Sequence, residues 1–191
     1  FLALAPHHPY GKRIFAVGCG TSDEKISDEV TDSDKQKLVW GMLIHLLKTE
    51  ALAAVNAPVK KAMLLTKART IKHADAIDSY LKNWPDSISS ELDDVLEQLN
   101  REGTDVVKII RKNTPKNKSE LVKKLSRVAK SVFTIHSENK SEDEVWTDYQ
   151  SLDDNNVEIV NQVRIFTEGV DYDNFYTIVV LGDTVEKVGL A

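Results

Sequence analysis

Apolar residues recur three and four positions apart from about residue 34 to residue 152, and this period constrains the fold more than any other feature of the chain. The first helix is expected after a capping-box spacing at Ser33 and Gln36, carrying Leu38, Val39, Met42, Leu43, Leu46 and Leu47 on one side. Asn56-Ala57-Pro58 restarts the chain, and Val59, Met63, Ala74, Ile77, Leu81 and Trp84 then fall on one helical stripe about 80° wide, closed by Pro85. Ile88, Leu92, Val95 and Leu99 predict a third helix ending near Gly103, and Thr104 to Lys112 a short fourth. A fifth, from about Lys116 to His136, gathers Leu121, Leu125, Val128 and Val132, and a capping box at Ser141 and Glu144 starts a last piece with Val145, Trp146, Tyr149 and Leu152.

Outside this stretch the period changes. Ile14 to Val17, closed by glycines, reads as a short buried strand, and Val157 to Phe166 alternates apolar and polar residues as a half-buried strand does. Phe175 to Leu181 is a further strand, with Gly182-Asp183 a hairpin-type turn before Thr184 to Leu190. The expected fold class is therefore α+β, mainly α: five to six helices with a small antiparallel sheet made by the C-terminal hairpin, which the N-terminal strand can join. One domain covers 1–191, with a strand and acidic connector in 1–33, a helical core in 34–152 and strands in 157–191.

The length of 191 residues and an apolar share of 41% suffice for one full core, and no apolar run approaches the ~18 residues of a membrane span, since Gly41 and His45 interrupt the best candidate, Leu38 to Leu47. A lone cysteine, Cys19, excludes an internal disulfide and points to a reducing, cytoplasm-like compartment or the interior of a particle. The start at Phe1, without Met or a signal-peptide pattern, suggests a processed product or an excised piece of something longer.

Charge carries the functional expectation. Against a net charge of −5, residues 108–130 hold nine cations and only Glu120, whereas 86–105 and 140–158 each hold seven acids and one cation. Arg111, Lys112, Lys116, Lys123, Lys124, Arg127 and Lys130 are the candidate binding residues. On the fifth helix Lys116, Lys123, Arg127 and Lys130 project within about 60° of one another, opposite the apolar stripe. Such a row attracts a phosphate backbone, while its plainer role is a solvated face paired with the acidic helices. Lys60, Lys61, Lys67, Arg69 and Lys72 form a second run without acids between them.

Little in the sequence supports catalysis. The strand into Gly18-Cys19-Gly20 resembles a phosphate-binding turn only superficially, because an acidic connector and helices follow it instead of strand-helix-strand repeats. The five histidines, His7, His8, His45, His73 and His136, include no His-x-x-x-His pair, so no zinc site is expected, and His45 is taken as a hydrogen-bonded packing residue. Phe133, Trp40, Trp84 and Trp146 sit at apolar stripes and are expected to pack. No catalytic residue, metal or cofactor is assigned. The leading expectation is a non-catalytic structural or assembly protein, nucleoprotein or capsid-like, that contacts nucleic acid or another polyanion non-specifically and self-associates or meets a protein partner. A regulatory or adaptor module is the alternative, and an enzyme using the Gly18-Cys19-Gly20 turn is third.

Overall fold

The computed structural model describes residues 2–4, 15–17, 28–55, 63–86, 89–101, 103, 105–136, 144, 147, 156–163 and 175–181. Their order is β1 (Leu2–Leu4), β2 (Phe15–Val17), α1 (Asp32–Ala54), β3 (Met63–Lys67), α2 (Ile71–Lys82), α3 (Ser90–Arg101), α4 (Asp105–Asn113), α5 (Lys118–Lys130), β4 (Val132–Ile135), β5 (Ile159–Gln162) and β6 (Phe175–Val180). β1 and β2 pair antiparallel as a separate ribbon, and the other four strands form a sheet in the order β4-β5-β3-β6 in which every pairing is parallel.

The expected antiparallel sheet is thus overturned. Two of its strands lie inside stretches whose period looked helical. Met63 is eleven residues before Ala74, and eleven residues are about three helical turns, so Met63 joined the stripe of Ala74, Ile77 and Leu81 without belonging to their helix. Met63-Leu64-Leu65 is instead a continuous apolar run buried on both faces, as strands in parallel sheets are. Likewise Val132 sits four residues after Val128, but the helix stops at Ser131 and Val132–Ile135 is a strand. Phe175–Val180 pairs with β3, and the proposed second arm, Thr184 to Leu190, lies outside the described residues. The N-terminal strand pairs with β1 and is not a member of the four-stranded sheet.

Helix starts follow local chemistry. Thr31 caps α1: its hydroxyl accepts from Asp34 N (3.2 Å), and Asp34 Oδ2 accepts from Thr31 N (3.0 Å). This box replaces the expected Ser33–Gln36 pair and moves the helix start two residues earlier than residue 34. Thr70 caps α2 through His73 N, and Asn117 caps α5 through Ser119 N and Glu120 N.

One face of the sheet carries most of the core. α1 packs on β6 and β3, α2 on β4 and β5, and α5 on both helices, while α3 and α4 close over α1. Leu64, Ile159 and Val179 meet Leu38, Met42, Leu43, Ile77, Leu121 and Leu125 there. The opposite face is lined by Met63, Leu65, Ile135, Val157 and Val160, with Phe133 and Phe175 packed against them. Gly41 sets the distance between α1 and the sheet, since a Cβ at that position would stand 2.2 Å from Val179 Cγ2. A buried polar ladder fixes strand register beneath α2: Thr66 Oγ1 donates to Asn161 Oδ1 (2.8 Å), and Asn161 Nδ2 donates to Ala74 O (2.8 Å) and Thr134 Oγ1 (3.1 Å). Thr134 Oγ1 in turn donates to Asp78 Oδ1 (2.8 Å), so three strands and one helix are tied by satisfied polar groups.

Candidate functional site

All four strands run the same way, so their carboxyl ends form one edge of the sheet. From β3 the chain travels to β4, at one side, whereas from β5 it travels to β6, at the other. β3 and β5 are neighbours, so each of these connections leads to the far side of the other's strand, and the carboxyl ends of β3 and β5 lie side by side at this edge.

At this edge the loop from β3 into α2 carries Arg69, Thr70 and His73 against Asp34 of α1. Asp34 and His73 are fully buried, and the Arg69 side chain is 10% exposed. Arg69 donates to both carboxylate oxygens of Asp34 (3.0 and 2.6 Å), to Leu181 O just past β6 (2.6 Å) and to Glu29 O (3.2 Å). One guanidinium therefore holds together the start of α1, the β3–α2 junction and the end of β6. The planar fork suits this bidentate grip, which Lys cannot reproduce. Burial alone would raise the carboxyl of Asp34, but hydrogen bonds from His73, Arg69 and Thr31 outweigh it and hold Asp34 well below the ordinary carboxylate range.

Asp34 and His73 have the composition of a catalytic dyad without its geometry. His73 Nδ1 accepts the backbone N–H of Arg69 (3.2 Å), and Nε2 lies 3.2 Å from Asp34 Oδ2 and 2.9 Å from Arg69 Nη2. Both ring nitrogens are used within the fold, and no lone pair faces a substrate. The cluster is a clasp. Sequence reasoning missed it, leaving Asp34 unremarked at the start of the helical core and placing Arg69 only in the second run of cations. The legible signal was a pair of caps, Thr31-x-x-Asp34 and Thr70-x-x-His73, each placing its third residue inward.

The expected basic face on α5 is largely neutralised. Lys124 binds Glu50 (2.7 Å) and Glu120 (3.0 Å), Arg127 binds Glu158, Lys130 binds Asp86 (2.7 Å) and Lys118 binds Asp93 (3.4 Å). The ammonium of Lys124 is accordingly raised, first by its bond to Glu50, and the carboxyl of Asp86 is lowered, first by its bond to Lys130. On α4, Arg111 Nε donates to Leu99 O (2.6 Å). Lys112, Lys116 and Lys123 are exposed and make no ion pair among the described residues. So the structure divides the seven predicted residues, with four tied down and three open to solvent. Lys67, the last residue of β3, and Lys72, in the first turn of α2, are likewise exposed and unpaired among the described residues.

Other candidates resolve individually. His45 is buried on α1, but among the described residues neither ring nitrogen has a hydrogen-bond partner, where a bonded packing residue was expected; its Nε2 stands 3.4 Å from Glu158 Oε2. His136, just past β4, lies 3.4 Å from Asp75. Trp40 packs and donates to Gln98 Oε1 (3.0 Å), and Trp84 packs edge-on against Tyr80 with ring centroids 5.6 Å apart. Phe133 packs against the smaller apolar cluster. Gly18, Cys19, Gly20, His7, His8 and Trp146 lie outside the described residues. Among the described residues no group of three metal-ligating side chains converges, and no helix is long and apolar enough to cross a membrane.

These features define an open parallel α/β sheet with its helical core on one face. No family model, curated protein or solved structure matches the chain.

Proposed function

We propose that this chain is a non-catalytic binding domain that takes the phosphate backbone of a nucleic acid along the carboxyl edge of its sheet. Lys67 and Lys72 supply the positive charge at that edge. The observation that carries the reading is the pair of exposed cations at the carboxyl edge, Lys67 ending β3 and Lys72 in the first turn of α2, that no carboxylate of the described residues neutralises. The paired cations of α5 offer less, because a phosphate there must first displace Glu50, Glu158 or Asp86. Lys112, Lys116 and Lys123 form the second seat, favoured by their own exposure and lack of partners. The structural or assembly role expected from charge segregation, and the self-association that goes with it, build on this contact.

Fluorescence anisotropy with a mixed-sequence single-stranded 20-mer, read across a salt series, tests the reading. Each phosphate contact contributes about 0.7 to the slope of log affinity against log salt. The double variant Lys67→Glu/Lys72→Glu should bind at least about tenfold more weakly, with the slope reduced by roughly 1 to 2. The triple variant Lys112→Glu/Lys116→Glu/Lys123→Glu should have the smaller effect. Reversal of that order moves the seat to the α4–α5 face, and no binding by the wild-type chain at low salt ends the polyanion reading. A free nucleoside triphosphate competing at equal phosphate concentration would transfer the edge to a small ligand.

A further inference from the structure

The approach to α2 on the carboxyl edge is already occupied by the chain itself. Asp28 Oδ1 accepts from the Thr70 hydroxyl (2.6 Å), Glu29 O accepts from Arg69 Nη2 (3.2 Å), and Asp34 takes the rest of the guanidinium. Asp28, Glu29 and Asp34 therefore bring a carboxylate or a carbonyl to the Thr70 hydroxyl and the Arg69 guanidinium of the β3–α2 loop. The two ends of this contact differ. Asp34 is fully buried and part of the α1 cap, whereas Asp28 and Glu29 are exposed and precede the helix. Lys67 and Lys72 flank the same loop.

We propose that residues 28–34 form an autoinhibitory strap: anchored at Asp34, it holds the Asp28 carboxylate where a ligand phosphate would sit, and the ligand must lift Asp28 from Thr70 to bind. This rests on the reading of the carboxyl edge given above and adds its regulation. The strap is an internal anion competing for donors that a phosphate also seeks, so its removal should strengthen binding without creating any new contact. Occupancy also explains how a loop rich in donors stays satisfied when no ligand is bound.

The test measures affinity of the full chain for the same 20-mer at low salt in four forms: wild type, Asp28→Ala, Asp28→Asn and Asp105→Asn. Asp105, in the first turn of α4, gives the same change in net charge away from the loop. The strap predicts tighter binding by about two- to fivefold for Asp28→Ala, less for Asp28→Asn, which keeps an acceptor for Thr70, and no comparable gain for Asp105→Asn. Equal affinity of wild type and Asp28→Ala overturns the strap while leaving the edge reading intact, and equal gains in Asp28→Ala and Asp105→Asn reduce it to net charge. Failure of every form to bind removes the edge reading and the strap together.

Discussion

The Asp34–Arg69 pair at the carboxyl edge and the Lys130–Asp86 pair on α5 are both close contacts between one cation and one carboxylate. Their surroundings make them different objects. The first is almost wholly buried, bidentate, and joined by His73, Thr31 and two backbone carbonyls; the second is a single contact between side chains 42% and 76% exposed, on which Ser126 also converges. A buried charge has no water to fall back on when its partner is lost, whereas an exposed one is rehydrated at once. Surface pairs can therefore open for a ligand, while the clasp holds the frame on which the ligand edge is built.

Breaking the clasp should have the largest effect. Arg69→Met removes the guanidinium from Asp34, Leu181 O and Glu29 O and leaves a buried carboxylate bonded only to His73 and Thr31. It should destabilise the fold by about 3–5 kcal/mol in urea unfolding. Asp34→Asn/Arg69→Met should recover part of that loss, since no unpaired charge then remains buried. Equal stability of single and double variants would show that the clasp is no more coupled than a surface pair.

Acid sharpens the same contrast. The Asp34 carboxyl is depressed in the folded state, so its stabilisation is complete above the unfolded value near 3.9 and is lost as the pH falls below that. Between about pH 4 and pH 2 the urea midpoint of the wild type should fall more steeply than that of Asp34→Asn. Parallel curves for the two proteins would mean that other carboxylates carry the acid sensitivity.

A third effect lies between the two regions, where α1 crosses the sheet. Gly41→Ala gains about 1 kcal/mol of helix propensity but forces a methyl into Val179, whose branched side chain cannot swing clear. Overpacking of this kind costs about 1–3 kcal/mol, so the net change should be a loss of up to about 2 kcal/mol by urea unfolding. Gly41→Ala/Val179→Ala should restore the close approach of helix and sheet.

Several of these elements were legible in the sequence, and the reasons differ for those that were not. Amphipathic stripes gave α3, α4 and most of α5, because a helix with one buried face prints its period directly: Leu92, Val95 and Leu99 are buried where the spacing put them. Strand β3 was lost because burial on both faces erases alternation, and its Met63 fell into phase with α2 by coincidence of spacing. Strand direction was not encoded locally at all, since Phe175–Val180 alternates equally well beside a parallel or an antiparallel neighbour. The site was the least legible. Charge counting found cations in abundance but could not tell Lys123, which has no ion pair among the described residues, from Lys130, which is paired to an aspartate 44 residues earlier.

The smallest predicted effect carries the contrast to its other end. Lys130→Gln should leave the urea midpoint unchanged and the CD spectrum intact, because Asp86 is exposed enough to take water in place of the ammonium. In the same variant Ser126 Oγ, buried at the end of its 2.5 Å bond to Asp86, reports whether the loop after Trp84 stays in place. If hydrogen exchange at Ser126 and Trp84 accelerates while the midpoint holds, Lys130 orders the loop locally without stabilising the whole fold. If neither moves, Asp86 is held by Ser126 alone, and Lys130 is available to a phosphate at little cost. Loss of global stability comparable to Arg69→Met would erase the distinction between enclosed and exposed pairs on which the choice of the carboxyl edge over the α5 face depends.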